Sequence, residues 1–179
     1  MIHEIICAGF GGQGVLLMGQ LLAYAGMYEG KNVSWLPSYG PEMRGGTANC
    51  NVVISDEEVG CPIVAEADSV IVMNNPSMST FEKAVKPGGH LFINSSLIDS
   101  KSSRTDITVH YIPANEIADK LGNLKAANMV MLGALVSATD VVDKKDLIDA
   151  LKEKMGEKKL HLIPLNEKAM EAGAQKITK

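Results

Sequence analysis

Apolar positions in the first part of the chain fall in short, nearly unbroken runs, and polar positions cluster between them around Gly, Pro and Asn. Ile2 to Ala8, Lys31 to Leu36, Ala48 to Ile54, Ser69 to Met73 and His90 to Asn94 have the length and β-branched content of strands, and Ile107 to Ile112 reads as a sixth. Runs that are apolar at successive positions suit strands buried on both sides, so the pattern predicts a mostly parallel sheet with helices on both faces. Helical patterns lie between the runs. Val15 to Met27 is a long apolar stretch; Asn75-Pro76 reads as an N-cap followed by Pro at the first helical position; Lys86-Pro87-Gly88-Gly89 reads as the end of that helix and the turn into the next strand. From Pro113 onward the pattern is helical. Ala126 to Thr139 can lie on the sheet, Asp143 and Asp146 resemble a capping arrangement ahead of Leu147 to Met155, and Asn166 reads as the cap of a final helix. No repeat, low-complexity tract or linker divides the chain, so residues 1–179 are expected to form one α/β, Rossmann-like domain with a helical C-terminal part.

Composition narrows the function classes. Hydrophobic residues make up 46% and aromatic residues 4%, so packing relies on aliphatic side chains and on the ten methionines, which fill irregular gaps. Residues 1–100 hold ten acids against four bases, while residues 140–179 hold eight against nine. No basic stripe or aromatic–basic interleaving is present, which argues against nucleic acid as a partner. The Lys-rich C-terminal stretch reads as a solvated helix face. Cys7, Cys50 and Cys61 are too scattered for a C-x-x-C pair or a cluster motif; each is expected to be a small buried residue with a free thiol, as in a reducing cytoplasm. Met1 leads directly into a strand and no run spans a bilayer, so neither a signal peptide nor a membrane segment is expected. His3, His90, His110 and His161 are isolated in sequence and share no metal-ligand spacing, so no metal site is expected.

The chemistry concentrates in two glycine segments. Gly9-Phe10-Gly11-Gly12-Gln13-Gly14 follows a strand and opens a helix, the arrangement that lays backbone N–H groups against an anion at a helix N-terminus. Close packing of helix on strand is the alternative use of the same glycines. Gln13 could donate to a ligand oxygen or simply be solvated. A dinucleotide site would place an acid at the end of the second strand, about 20 residues on. That strand ends instead at Pro37-Ser38-Tyr39, with no carboxylate.

The second segment is Ser38-Tyr39-Gly40-Pro41-Glu42-Met43-Arg44-Gly45-Gly46. Together with Gly9 to Gly14, the apolar stretch near Val70 and the Pro87-Gly88-Gly89 turn, it resembles the gamma subunit of 2-oxoacid:ferredoxin oxidoreductases, over most of residues 1–140. The resemblance implies one subunit of an enzyme that decarboxylates a 2-oxoacid on thiamine diphosphate, passes electrons through iron–sulfur clusters to ferredoxin and releases an acyl-CoA. It implies alpha and beta partner subunits, with a delta subunit as a further candidate, and places thiamine diphosphate, the clusters and CoA mainly with those partners. The Tyr39 to Arg44 wording resembles 2-oxoglutarate and branched-chain members more than pyruvate ones.

Within this frame the candidate ligand-facing residues are Gly9, Gly11, Gly12, Gln13, Gly14, Ser38, Tyr39, Gly40, Glu42, Arg44 and Gly45. Arg44 can clamp a carboxylate or phosphate with two parallel hydrogen bonds; the competing reading is a Glu42–Arg44 pair that only shapes the loop. Asn49 and Asn51 share one strand face and could support that loop as a buried amide pair, and Asn74 ends the fourth strand at the same edge. No catalytic constellation stands out in this chain alone, so the isolated chain is expected to be inactive and, with its interfaces uncovered, to form a homodimer. Two other readings stay open: a self-contained NAD(P)-binding reductase, and a ligand-free assembly adaptor whose glycine loops serve only contact.

Overall fold

The computed structural model describes residues 1–40 and 46–178. Six strands, β1 (Ile2–Phe10), β2 (Asn32–Tyr39), β3 (Thr47–Ser55), β4 (Ala67–Val72), β5 (Val85–Asn94) and β6 (Thr108–Ile112), form one sheet in the order β2-β3-β1-β4-β5-β6. The helices are α1 (Val15–Tyr28), α2 (Asn75–Phe81), α3 (Ala114–Lys120), α4 (Ala127–Thr139), α5 (Lys144–Met155) and α6 (Ile163–Ala174). The pairings among β1, β4, β5 and β6 are parallel, while β3 runs antiparallel between β2 and β1. The mostly parallel α/β sheet expected from the apolar runs is therefore present, with one reversed strand that the runs do not reveal. Apolarity reports burial, and a strand buried on both sides looks alike in either direction.

Alternation along each strand sorts the core into two layers. Ile5 and Cys7 of β1, Cys50, Val52 and Ile54 of β3, Ile71 of β4 and Phe92 of β5 face α1 and α3 to α6. Ile6 and Ala8, Val53, Val70 and Val72, and Leu91 and Ile93 face the other way, where Met78 of α2 and the loop residues Val64 and Ile98 cover them. α4 is buried over every residue from Ala127 to Val136, because the sheet lies on one side and α6 on the other. The α4–α6 crossing is close: a Cβ on Gly133 would lie 2.0 Å from the Met170 carbonyl oxygen, and one on Gly173 would lie 1.9 Å from that of Val130.

Three local expectations are corrected. Asn74, not Asn75, caps α2: its Oδ1 accepts from Ser77 N–H at 2.9 Å, and Pro76 sits in the first turn, where its missing N–H is not needed. Lys86 to Gly89 is not a helix end but an irregular stretch inside β5. α2 stops at Phe81, a short 3₁₀ turn covers Glu82–Ala84, and the pairing with β4 shifts register between Ala67 and Ser69, with Gly88 at φ 81°. Asn166 lies within α6, donating back to the Leu162 carbonyl, because Pro164 already starts the helix. Asp143 stands at the N-cap position of α5, but its side chain makes no capping hydrogen bond. No helix among the described residues is long and apolar enough to cross a membrane.

Candidate functional site

The loop after β1 leads to α1 on one face of the sheet, and the loop after β4 leads to α2 on the other. The carboxyl ends of β1 and β4, which are adjacent and parallel, thus flank the point where an open α/β sheet parts to admit ligands. Since β3 is antiparallel to both neighbours, β2 points the same way as β1, and the segment joining β2 to β3 emerges at this same edge. The two glycine segments meet there. Gly11 N–H donates to the Gly46 carbonyl at 2.8 Å, and Gly40 N–H to that of Thr47 at 3.1 Å.

The turn itself is held by its own side chains. Gln13 Oε1 accepts from Phe10 N–H at 2.7 Å and its Nε2 donates to the Met73 carbonyl at 3.3 Å, so this amide bridges the crevice between β1 and β4. Gly9 is packed: an added Cβ would lie 2.6 Å from Gln13 Oε1 and 2.8 Å from Met73 Cβ. Gly14 is the N-cap of α1 in the left-handed region at φ 74°, where a Cβ would lie 2.2 Å from Asn128 Nδ2. Gly12 also has positive φ, 95°, but its missing Cβ faces open space. Gly9 and Gly14 thus serve packing, while Gly12 borders open space.

The N–H groups of Gly12, Gly14, Val15 and Leu16 have no partner among the described residues, and the first turn of α1 carries no acidic side chain. Unpaired N–H groups at the positive end of a helix dipole favour an anion. Two cavities flank the turn. One, of about 190 Å³, is lined by Gly12, Gln13, Met73, Asn115, Leu124, Lys125 and Ala127. The other, of about 290 Å³, is lined by Phe10, Gly11, Gly12, Gly14, Val15, Leu16, Leu17, Tyr39 and Ala48. Lys125, exposed beside the first, makes no ion pair among the described residues.

Of the sequence candidates, Gly9, Gly11, Gly12, Gln13, Gly14, Tyr39 and Gly40 come together at this edge, and Ser38 is exposed near the end of β2. Glu42, Arg44 and Gly45 lie outside the described residues. Asn49 and Asn51 do share a face, opposite Ser38 and Leu36 of β2, yet they are half-buried and make no side-chain hydrogen bond among the described residues. That face of β2 and β3 lacks the helical cover of the other, so a fully buried amide pair does not form. Asn74 is buried, its Oδ1 used as the α2 cap and its Nδ2 without a partner.

Residue patterns missed several participants. Asn128 comes from the start of α4, Lys125 from the 3₁₀ turn just before it and Asn115 from α3, so only the fold brings them to the turn. The pairing of His90 and His110 was equally hidden: they lie on the adjacent strands β5 and β6, with Nδ1 and Nε2 3.0 Å apart and rings stacked, so these two histidines are not isolated. Cys61 is exposed rather than buried, because residues 56 to 66 form a loop outside the sheet.

The second strand lacks an acid at its end and is also displaced in the sheet. β3 intervenes between β1 and β2, which puts Pro37-Ser38-Tyr39 two strand spacings, roughly 10 Å, from β1. This disfavours the dinucleotide reading.

Comparison with known proteins places the chain in a family. The family model described as pyruvate ferredoxin/flavodoxin oxidoreductase matches residues 4–176. Ketoisovalerate oxidoreductase subunit VorA of Methanothermobacter thermautotrophicus is 42% identical over 169 residues, which is 94% of this chain and 35% of that protein. Among solved structures, the gamma subunit of a keto/oxoacid ferredoxin oxidoreductase from Geobacter sulfurreducens superposes with a TM-score of 0.81 at 31% identity, covering 97% of each chain. The 2-oxoglutarate:ferredoxin oxidoreductase of Magnetococcus marinus, solved with 2-oxoglutarate, coenzyme A and succinyl-CoA bound, superposes with a TM-score of 0.89 at 25% identity, over 99% of this chain and 32% of that one. The chain thus spans about a third of the length of the VorA and Magnetococcus proteins. With a family match over nearly its whole length and a gamma subunit of the same size sharing its fold, this chain belongs to the pyruvate ferredoxin/flavodoxin oxidoreductase family, among its gamma-type subunits.

Proposed function

We propose that this chain is the gamma subunit of a multi-subunit, thiamine-diphosphate-dependent enzyme that converts a 2-oxoacid, CoA and oxidised ferredoxin to an acyl-CoA, CO2 and reduced ferredoxin. The observation that carries the proposal is the meeting of the two glycine segments, through Gly11 and Gly46, at the switch-point edge of the sheet. A set of N–H groups at the start of α1 that is unpaired among the described residues suits a phosphate of CoA or the carboxylate of the oxoacid. Both cavities are small beside typical ligand sites of about 300–1,000 Å³, which suits a wall that partner subunits complete.

The clusters do not fit here. A cluster held by four thiolates needs four cysteines, and this chain has three, with Cys7 and Cys50 inside the core and Cys61 on a loop. They and thiamine diphosphate are therefore assigned to alpha and beta subunits, with delta as a further candidate. Thiamine diphosphate supplies the carbanion chemistry of decarboxylation. This chain's part is to bind an anion at Gly12 to Leu16, to position it with Lys125 and Arg44, and to keep the turn rigid through Gln13. We infer a cytoplasmic location from the ferredoxin partner and the free thiols, and 2-oxoglutarate or a branched-chain oxoacid as substrate from the Tyr39 to Arg44 wording of the loop.

Co-expression with the candidate partner chains tests the reading. A brown complex turning over a 2-oxoacid only when this chain is included supports it, and the rates with 2-oxoglutarate, 2-ketoisovalerate and pyruvate name the substrate. Turnover by this chain alone would refute it. On its own the chain is expected to dimerise, since Tyr24, Met27 and Tyr28 expose apolar surface along α1; a monomer in sedimentation at high concentration would contradict that.

A further inference from the structure

We propose that Cys7 and Cys50 form a reversible disulfide across β1 and β3, making the sheet beneath the first turn of α1 a site of thiol oxidation. The two residues are direct partners in the antiparallel register and face the same helical layer, each fully buried. Directly opposed residues of an antiparallel pair have Cα atoms about 4.5–5.5 Å apart, and a disulfide accepts about 4.4–6.8 Å. The register thus places the two Cα atoms in the range that a disulfide spans, and closing the bond asks only for side-chain rotation.

The surroundings favour Cys50 as the reacting sulfur. Its thiol donates to the Val15 carbonyl, the first residue of α1, at 3.7 Å. Among the described residues Trp35 Nε1 is buried without a partner, and it lies near this sulfur: a Cβ on Gly19 would stand 2.4 Å from Cys50 Sγ and 2.9 Å from Trp35 Nε1. An indole N–H with nothing to bond is a ready donor to a thiolate. Cys7 holds the Cys50 thiol below its ordinary value, the Trp35 N–H acts in the same direction, and burial opposes both; Cys7 itself is pushed up, by Cys50 and by burial. A pair in which one thiol ionises first and the other stays protonated is suited to stepwise oxidation.

The oxidant is a small hydroperoxide. The Cys50 thiolate attacks one peroxide oxygen, the O–O bond breaks, and the departing oxygen takes a proton to leave as water, or as an alcohol from an organic peroxide. This leaves a sulfenic acid on Cys50. The Cys7 sulfur then attacks Cys50 Sγ, the S–S bond forms, and the hydroxyl leaves as water with the Cys7 proton. Two sulfurs have together lost two electrons, and the peroxide has gained them. A dithiol reverses the step by thiol–disulfide exchange. Because both sulfurs are buried, oxidation proceeds through brief local opening and is slower than reaction at the exposed Cys61.

The test uses the full chain carrying Cys61→Ser, which removes the exposed thiol. It is exposed to hydrogen peroxide, denatured in the presence of an alkylating reagent and weighed intact. Expected is the loss of two hydrogens with no alkyl group added, a linked peptide pair containing residues 7 and 50 after digestion, and return of two alkylatable thiols after dithiothreitol. Two alkylated cysteines after peroxide, or oxygen added irreversibly with no link, would overturn the proposal. Cys50→Ser in the same background should leave one alkylatable thiol and no linked peptides; because the first measurement needs no change in the core, it decides the matter even if this second variant fails to fold.

Discussion

Gly12 and Gly14 show how neighbouring glycines answer to different demands. Both hold positive φ, so an alanine at either is strained by about 1–2 kcal/mol. At Gly14 the methyl would also drive into Asn128, whereas at Gly12 it would enter open space shared by both cavities. Gly14→Ala is therefore expected to lower stability by about 3 kcal/mol or more, and Gly12→Ala by less than half as much while still impairing turnover of the assembled enzyme. Urea unfolding of both variants, alongside kinetics, separates the roles; equal stability losses would put the two glycines in the same role. Arg44 lies in sequence between Gly40 and Gly46, outside the described residues. If it clamps an anion, Arg44→Ala should lose about 1.5–3 kcal/mol of binding or transition-state energy, roughly tenfold to a hundredfold in KM or kcat, with Arg44→Lys recovering part. Unchanged kinetics with a lowered Tm, reproduced by Glu42→Ala, would instead make the loop structural.

Among the elements, α4 and α6 depend on a pair of glycines that no hydrophobic pattern marks. Gly133 and Gly173 sit reciprocally against the backbones of α6 and α4, so the helices are nearer than any side chain would allow. Gly133→Ala is expected to destabilise by about 3 kcal/mol, despite the better helix propensity of alanine, worth about 1 kcal/mol in an open helix. A gain in urea midpoint would contradict the packing. Element identity was legible in advance because strand runs and the α1 and α4 stretches each extend over enough residues to show their period. Caps were less so: Asn74 and Asn75 are equally able to accept an N–H, and only the backbone, extended at Asn74 and helical from Asn75, decides between them.

Across the whole molecule, a row of histidines links the sheet to pH. His3 bonds Ser69 at 3.0 Å, and His110 stacks on both His90 and Phe92, all on the helical face of β1, β4, β5 and β6. Burial, with the charge of His90, holds His110 down to about 4. Burial lowers His90, and lowers His3 against the pull of Asp68 and Glu4 and with the push of Lys86 and His90. A histidine lowered in the folded state takes up its proton more readily when unfolded. The stability it contributes is complete above its unfolded pKa of about 6.5 and is lost as the pH falls towards 4. Tm should therefore be flat from pH 8 to 7 and drop between about 6.5 and 4. His110→Gln should shallow that drop, and an unchanged slope in the variant would remove His110 from it.

Sequence alone determined the strands and main helices, the two glycine segments and the family they resemble, because each is a local pattern that the chain carries wherever it folds. The tertiary structure decided what depends on neighbours distant in sequence. It reversed β3 between β1 and β2, since strand direction leaves no trace in the local pattern of apolar positions. It set Gly46 against Gly11, His90 against His110 and Cys7 against Cys50, because strand order and register, which no local period encodes, choose which side chains face each other.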